Sequence, residues 1–286
     1  MRWSKRWLAV AVAVASGVAP IAACSEGDPP AGGAPPDGGD ATRLDDGPAA
    51  DGDATAATVD DAGADASRCD DVGLVAAYAF DELAGALVRD CGPLGLDGTL
   101  EAADASATRG TRDGGGALEL APGEGFVSIG PRAELELTGA FSVAAFVRSD
   151  VAPSAEVGVV WHRPDLGWEL ALDGGGALHV TLGLALGESL DATFPALTPG
   201  RWTHVAFVYE PGFRLELFVD GQSVSRLTAV DGGPLPPASV APPTEPTSVR
   251  LGHLPGTPST WRGGIDEVRI YNRWLNDSEI AALAAR

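Results

Sequence analysis

The sequence predicts an all-β sandwich of two packed antiparallel sheets, closed by a short C-terminal helix and preceded by a disordered acidic linker. Three observations carry this. Many short apolar runs are separated by Gly, Pro and Asp turns. No helical periodicity occurs before the last dozen residues. The stretch Gly200–Gln222 holds two runs of period-two character, Trp202–Tyr209 and Phe213–Val219, split by Glu210-Pro211-Gly212 and closed by Asp220-Gly221. In its first run Trp202, His204, Ala206 and Val208 point one way and Val205, Phe207 and Tyr209 the other, both sets mostly apolar. A strand covered on both sides belongs inside a stack.

Length and charge bound the function. The 286 residues have room for one large β domain or two small ones. Lysine occurs only as Lys5 and the formal net charge is -21, a field that repels polyphosphate; no basic stripe with interleaved aromatics is present, so nucleic acid is not an expected partner.

The chain begins with an address. Arg2, Lys5 and Arg6 precede the apolar run from Leu8 to Ala23, broken by Gly17 and Pro20 and shorter than the roughly 20 residues of a spanning helix. This order of basic, apolar and small residues reads as an export signal over residues 1–23. Ile21-Ala22-Ala23-Cys24 resembles the lipobox of bacterial lipoproteins. That resemblance implies a lipid-modified Cys24 as mature N-terminus and a membrane anchor of more than one acyl chain. Ser25 follows where the inner-membrane retention signal has Asp, so outer-membrane placement is expected. Residues 24–68 are Ala, Gly, Pro, Asp and Thr with Leu44 and Val59 as the only large aliphatics, too little apolar surface to offset ordering entropy. Mutual repulsion among aspartates makes this an extended spacer. Asp51-Gly52-Asp53 lacks the loop pattern of an EF-hand.

The folded domain is expected over residues 69–286. Cys69 and Cys91 are the only thiols besides Cys24, and in an exported chain the pair suggests a disulfide. Strands are expected over Leu74–Phe80, Gly116–Leu120, Phe126–Ile129, Phe141–Arg148, Val157–Trp161, Trp168–Leu172 and Ala177–Leu182, with short pieces at Val88–Gly92 and Leu96–Leu100. At the C-terminus Asn276 caps a short helix, Glu279 reaches back, and Leu275 packs on Ile280. About two turns are marginal alone, so the helix must dock on the sandwich.

The ordered run Ala77-Tyr78-Ala79-Phe80-Asp81-Glu82, Asp97-Gly98-Thr99-Leu100, Ala117-Leu118-Glu119-Leu120, Phe141-Ser142-Val143, Gly200-Arg201-Trp202-Thr203-His204-Val205-Ala206, Val219-Asp220-Gly221 and Gly264-Ile265-Asp266-Glu267-Val268-Arg269-Ile270-Tyr271 resembles the laminin-G-like, concanavalin-A-like jellyroll module. The resemblance spans Leu74 to Arg286 and implies two curved sheets with a concave face. Pro234–Pro246, with six prolines, departs from compact linkers and reads as an exposed loop.

The chemistry follows from what is present. Carboxylates in the E-x-D-x-x-E pattern of glycosidases on this architecture are missing; Glu134-Leu135-Glu136 comes nearest and reads as a solvated edge. Neither G-x-S-x-G nor H-E-x-x-H occurs, and His162, His179, His204 and His253 are scattered singly. First and last strands of a jellyroll can be neighbours, bringing Asp81 and Glu82 toward Asp266 and Glu267, and by resemblance Asp81 and Asp266 are candidate ligands of a structural Ca2+. Trp161 and Trp168 sit in strand-like runs and read as core, leaving Trp261 as the candidate for stacking on a sugar. The expectation is a lipid-anchored, non-catalytic envelope module that binds a glycan or a surface protein. A carbohydrate-active hydrolase or lyase and a purely structural envelope protein are the alternatives.

Overall fold

The computed structural model describes residues 69–286 apart from 83, 102–106, 122–124, 152–155, 163–166, 186–188, 231–232, 237–239, 242–246 and 256–260. The export signal 1–23, Cys24 and the linker 24–68 lie outside the described residues. In chain order the strands are β1 (Leu74–Tyr78), β2 (Leu87–Val88), β3 (Gly98–Glu101), β4 (Ala107–Arg112), β5 (Gly115–Leu120), β6 (Phe126–Ile129), β7 (Phe141–Ser149), β8 (Val157–His162) and β9 (Gly167–Leu172). There follow β10 (Ala177–Gly183), β11 (Ser189–Ala196), β12 (Thr203–Glu210), β13 (Arg214–Val219), β14 (Gln222–Leu227), β15 (Ala229–Val230), β16 (Gly233–Pro234), β17 (Val249–Leu251), β18 (Gly263–Tyr271) and the helix α1 (Asp277–Ala284).

Two eight-stranded antiparallel sheets result. The first runs β14-β13-β12-β7-β18-β5-β4, with β1 also on β18; the second runs β11-β10-β9-β8-β17-β6-β3-β2. Side chains that alternate along each strand meet between them: Val205, Phe207 and Tyr209 of β12 face Leu170, Leu172, Val180 and Leu182 of β9 and β10 in one continuous core. Phe141 joins Trp168 and Phe207 there at ring distances of 5.6 Å each.

The other face of β12 explains why both sets of its residues are apolar. Ala206 and Val208 join Ala77, Ala144, Phe218 and Tyr271 under Leu275, Ile280 and Leu283 in a second cluster. The covering layer on that side is thus α1, not another sheet. Its capping box is complete: the Glu279 N–H donates to the Asn276 side chain and the Asn276 N–H to the Glu279 carboxylate, at 3.0 and 2.8 Å.

Turn chemistry places the hairpins. Asp220 and Gly221 join β13 to β14 with φ of 47° and 77°, the left-handed pair that a two-residue hairpin turn requires. At Gly264 the constraint is contact: an added Cβ would lie 2.2 Å from the Trp202 indole. Leu235, Val240 and Ala241 are buried, so the proline-rich segment predicted as an exposed loop contributes to the core at these positions; apolar side chains spaced between prolines anchor it.

Near the start of the domain Cys69 and Cys91 are bonded, with Cα atoms 5.7 Å apart. The neighbouring Asp90 carboxylate is buried and accepts the N–H groups of Ala77, Gly92 and Leu96 at 2.7–2.8 Å, so bond and carboxylate together fasten this loop to β1. Replacing both cysteines by serine should cost about 3 kcal/mol for a ring of this size; urea unfolding of the variant against the oxidised parent measures it.

Candidate functional site

With α1 and the Cys69 segment packed on the outer face of the first sheet, the outer face of the second is where functional side chains line up. Register puts one residue from each of seven strands into a single row: Asp191 opposite Thr181, Thr181 opposite Glu169, Glu169 opposite Trp161, Trp161 opposite Arg250, Arg250 opposite Ser128 and Ser128 opposite Thr99. All are polar or aromatic, and the residues flanking them along each strand point into the core. A second row runs Thr193, His179, Ala171 and Gly158.

Trp161 reaches this face through a bulge. Val157 is a core residue, and strict alternation from it sends Trp161 inward; the register shift between Gly158 and Val160 turns Val160 to the core and Trp161 out, half-buried. The reading of Trp161 as core is corrected accordingly. Trp168 is core as expected.

Arg250 stands between two rings, its guanidinium carbon 4.8 Å from the Phe126 centroid and 6.0 Å from that of Trp161. Phe126 in turn stacks on His253 at 5.0 Å. Arg250 Nη1 stands 3.4 Å from His253 Nδ1, so the guanidinium is oriented by that contact as well as by the rings, while its buried Nε has no hydrogen-bond partner among the described residues. Toward the other end Thr181 Oγ1 donates to Asp191 at 2.7 Å, holding that carboxylate in place.

Between these poles lies a titratable group. Glu156, Glu169 and His179 bring one ligating atom each within 4.8 Å of one another. His179 Nε2 stands 2.7 Å from Glu156 Oε1. Burial, the largest single influence, works to lower the pKa of His179, but Glu156, Glu169 and Asp173 together outweigh it and the imidazole is raised above its ordinary value. His162 and His204 are structural. His162 lies against Trp168 and His204 against Phe146, and burial lowers both to about 4, so both stay neutral.

Other predicted site residues fall elsewhere. The indole of Trp261 is fully buried within the core, so no face of it can take a sugar; that assignment is withdrawn in favour of Trp161. Asp81 and Asp266 are both engaged by protein donors. Asp266 is buried and accepts Arg112 Nε at 2.6 Å and the Glu267 N–H at 2.7 Å, while Asp81 accepts the Gly116 N–H at 2.6 Å. The Arg112 guanidinium of β4 places a positive charge beside Asp266. Glu134 lies in a 3-10 turn, Ala133–Leu135, and Glu136 turns toward His162, 3.5 Å away, so the two carboxylates are not aligned on a strand.

Residues 122–281 match the family model described as the Concanavalin A-like lectin/glucanases superfamily. The chain belongs to this superfamily. Solved structures similar to this superfamily member include the binding domain of Paraclostridial Mosquitocidal Protein 1, with a TM-score of 0.59 and 14% identity over 74% of this chain and 52% of that one. The binding domain of Botulinum Neurotoxin DC in complex with SialylT gives 0.54 and 11% over 75% and 51%. Trypanosoma rangeli sialidase gives 0.54 and 20% over 75% and 33%. The chain spans about half the length of the toxin binding domains, and at these identities the likeness is one of fold. No curated protein matches the chain.

The Arg112–Asp266 pair yields a prediction with a definite sign. Burial, opposed by Arg112, pushes Asp266 up to about 7, so the native state favours the protonated carboxyl and loses stability as pH rises from the ordinary value toward 7. Arg112→Met removes the opposing charge. It should cost about 3–5 kcal/mol at pH 8, and less at pH 5, where Asp266 keeps its proton and no buried anion is left; urea unfolding at both pH values checks this.

Proposed function

We propose that this protein is a non-catalytic binding module, lipid-anchored through Cys24 to the outer membrane, that recognises a glycan on the outer face of its second sheet. The observation that carries the reading is Arg250, held between Trp161 and Phe126 and by His253 beside the half-buried indole. A half-buried indole offers a flat apolar surface to the C–H face of a sugar ring, and an oriented guanidinium beside it suits a sugar hydroxyl or carboxylate. Asp191, Ser128 and Thr99 in the same row provide further polar contacts for a chain of sugars lying across the strands. The basic, apolar and small residues up to Ala23 and the lipobox-like Ile21-Ala22-Ala23-Cys24 support export and anchoring. A surface protein is the other ligand class that a row of this length could engage.

Carbohydrate hydrolysis is the alternative favoured by one observation: Glu156 and Glu169 approach the separation of about 5 Å at which paired carboxylates act on a glycosidic bond. A glycan array followed by calorimetry on the full chain separates the readings. Trp161→Ala and Arg250→Gln should each weaken glycan binding at least tenfold, about 1.4 kcal/mol, with the melting temperature little changed because Trp161 is a half-exposed side chain. Release of reducing sugar that Glu169→Gln abolishes would establish the hydrolase instead. Neither binding nor turnover would leave a structural envelope role.

A further inference from the structure

We infer that Glu156, Glu169 and His179 form a site for one divalent transition-metal ion of the zinc type. The three side chains come from three consecutive positions in the second sheet: Glu156 immediately before β8, Glu169 on β9 and His179 on β10. Their convergence follows from register. Ala171 lies opposite both His179 and Gly158, so β9 sets His179 level with the start of β8, where Glu156 stands. The ligating atoms consequently fall within 4.8 Å of one another. Metal bonds of about 2.0–2.1 Å at tetrahedral angles place ligand atoms roughly 3.3 Å apart. Reaching that spacing requires Glu156 and His179 to part slightly from their 2.7 Å contact and the widest pair to close.

The burial of the three suits such an adjustment. Glu169 is only 5% exposed and fixed in the sheet, His179 is half-buried, and Glu156 is exposed at the end of its strand and able to move. One imidazole with two carboxylates is a nitrogen-and-oxygen set suited to zinc; calcium takes six to eight oxygens. Three protein ligands leave at least one position for water or for an oxygen of a bound ligand. Trp161 is the strand neighbour of Glu169, so that position opens beside the proposed glycan platform. The metal assignment is independent of the glycan reading, because it is tested with the metal alone.

The full chain, stripped with chelator, is titrated with ZnCl2 by calorimetry and, in parallel, with CoCl2 while the visible absorption of the bound cobalt is followed. A saturable one-to-one site is expected, lost or weakened at least tenfold in His179→Gln and in Glu169→Gln, with the cobalt absorption lost in both. Asp51→Asn with Asp53→Asn, in the acidic linker, should leave the site intact. Should Glu169→Gln fail to fold because that position is buried, the half-buried His179→Gln, checked by near-ultraviolet circular dichroism, decides alone. Zinc binding that is absent, or equal in parent and His179→Gln, overturns the assignment, as does a site that takes Ca2+ and not Zn2+.

Discussion

The architecture depends on β18, a nine-residue strand buried along its whole length at the centre of the first sheet. On one side it pairs with β7 throughout; on the other its first half pairs with β5 and its second half with β1. A bulge between Asp266 and Arg269, with Glu267 at a φ of 48°, separates the halves and lets two short strands share one edge. Ile265, Val268 and Ile270 thereby all face the core. The last strand of the domain thus holds the first in place, and neither β1 nor β18 can leave without opening the central layer.

Polar chemistry reinforces this closure. Asp71, in the turn before β1, accepts the Tyr271 hydroxyl at 2.8 Å and pairs with Arg286 at 3.2 Å and Arg269 at 3.7 Å, joining the entry of the domain to its last strand and last residue. Arg269 also meets Glu267 at 2.7 Å across the bulge. Charges buried this deeply are costly singly and tolerable as a network in which each has a partner. The same logic accounts for Arg112 and Asp266, where edge strand β4 brings a guanidinium to a buried carboxylate of β18.

Legibility in the sequence followed local signals. The β12–β13 hairpin was readable because alternation is unbroken in both strands and Asp220-Gly221 announces the turn that ends β13, and α1 because its cap residues are spaced to bond one another, whereas β14, whose pairing carries a register shift, was not. Strand β4, Ala-Thr-Arg-Gly-Thr-Arg, carries no apolar alternation, and β17, Val-Arg-Leu, alternates over only three residues, so only pairing with neighbours reveals them. The candidate site was largely illegible. A bulge reverses the direction of Trp161, Trp261 sits in an irregular segment where no periodicity tells inside from outside, and Glu156, Glu169 and His179 meet only through register between strands.

The two outer faces of the sandwich divide the labour. Cys69, α1 and the closing network all occupy the outside of the first sheet, while the row from Asp191 to Thr99 occupies the outside of the second. The polypeptide therefore enters and leaves this domain at its back. A segment joined upstream of Cys69 starts on the side opposite Trp161 and Arg250, so under the proposed glycan reading the row from Asp191 to Thr99 faces away from that junction, like a palm turned from its wrist.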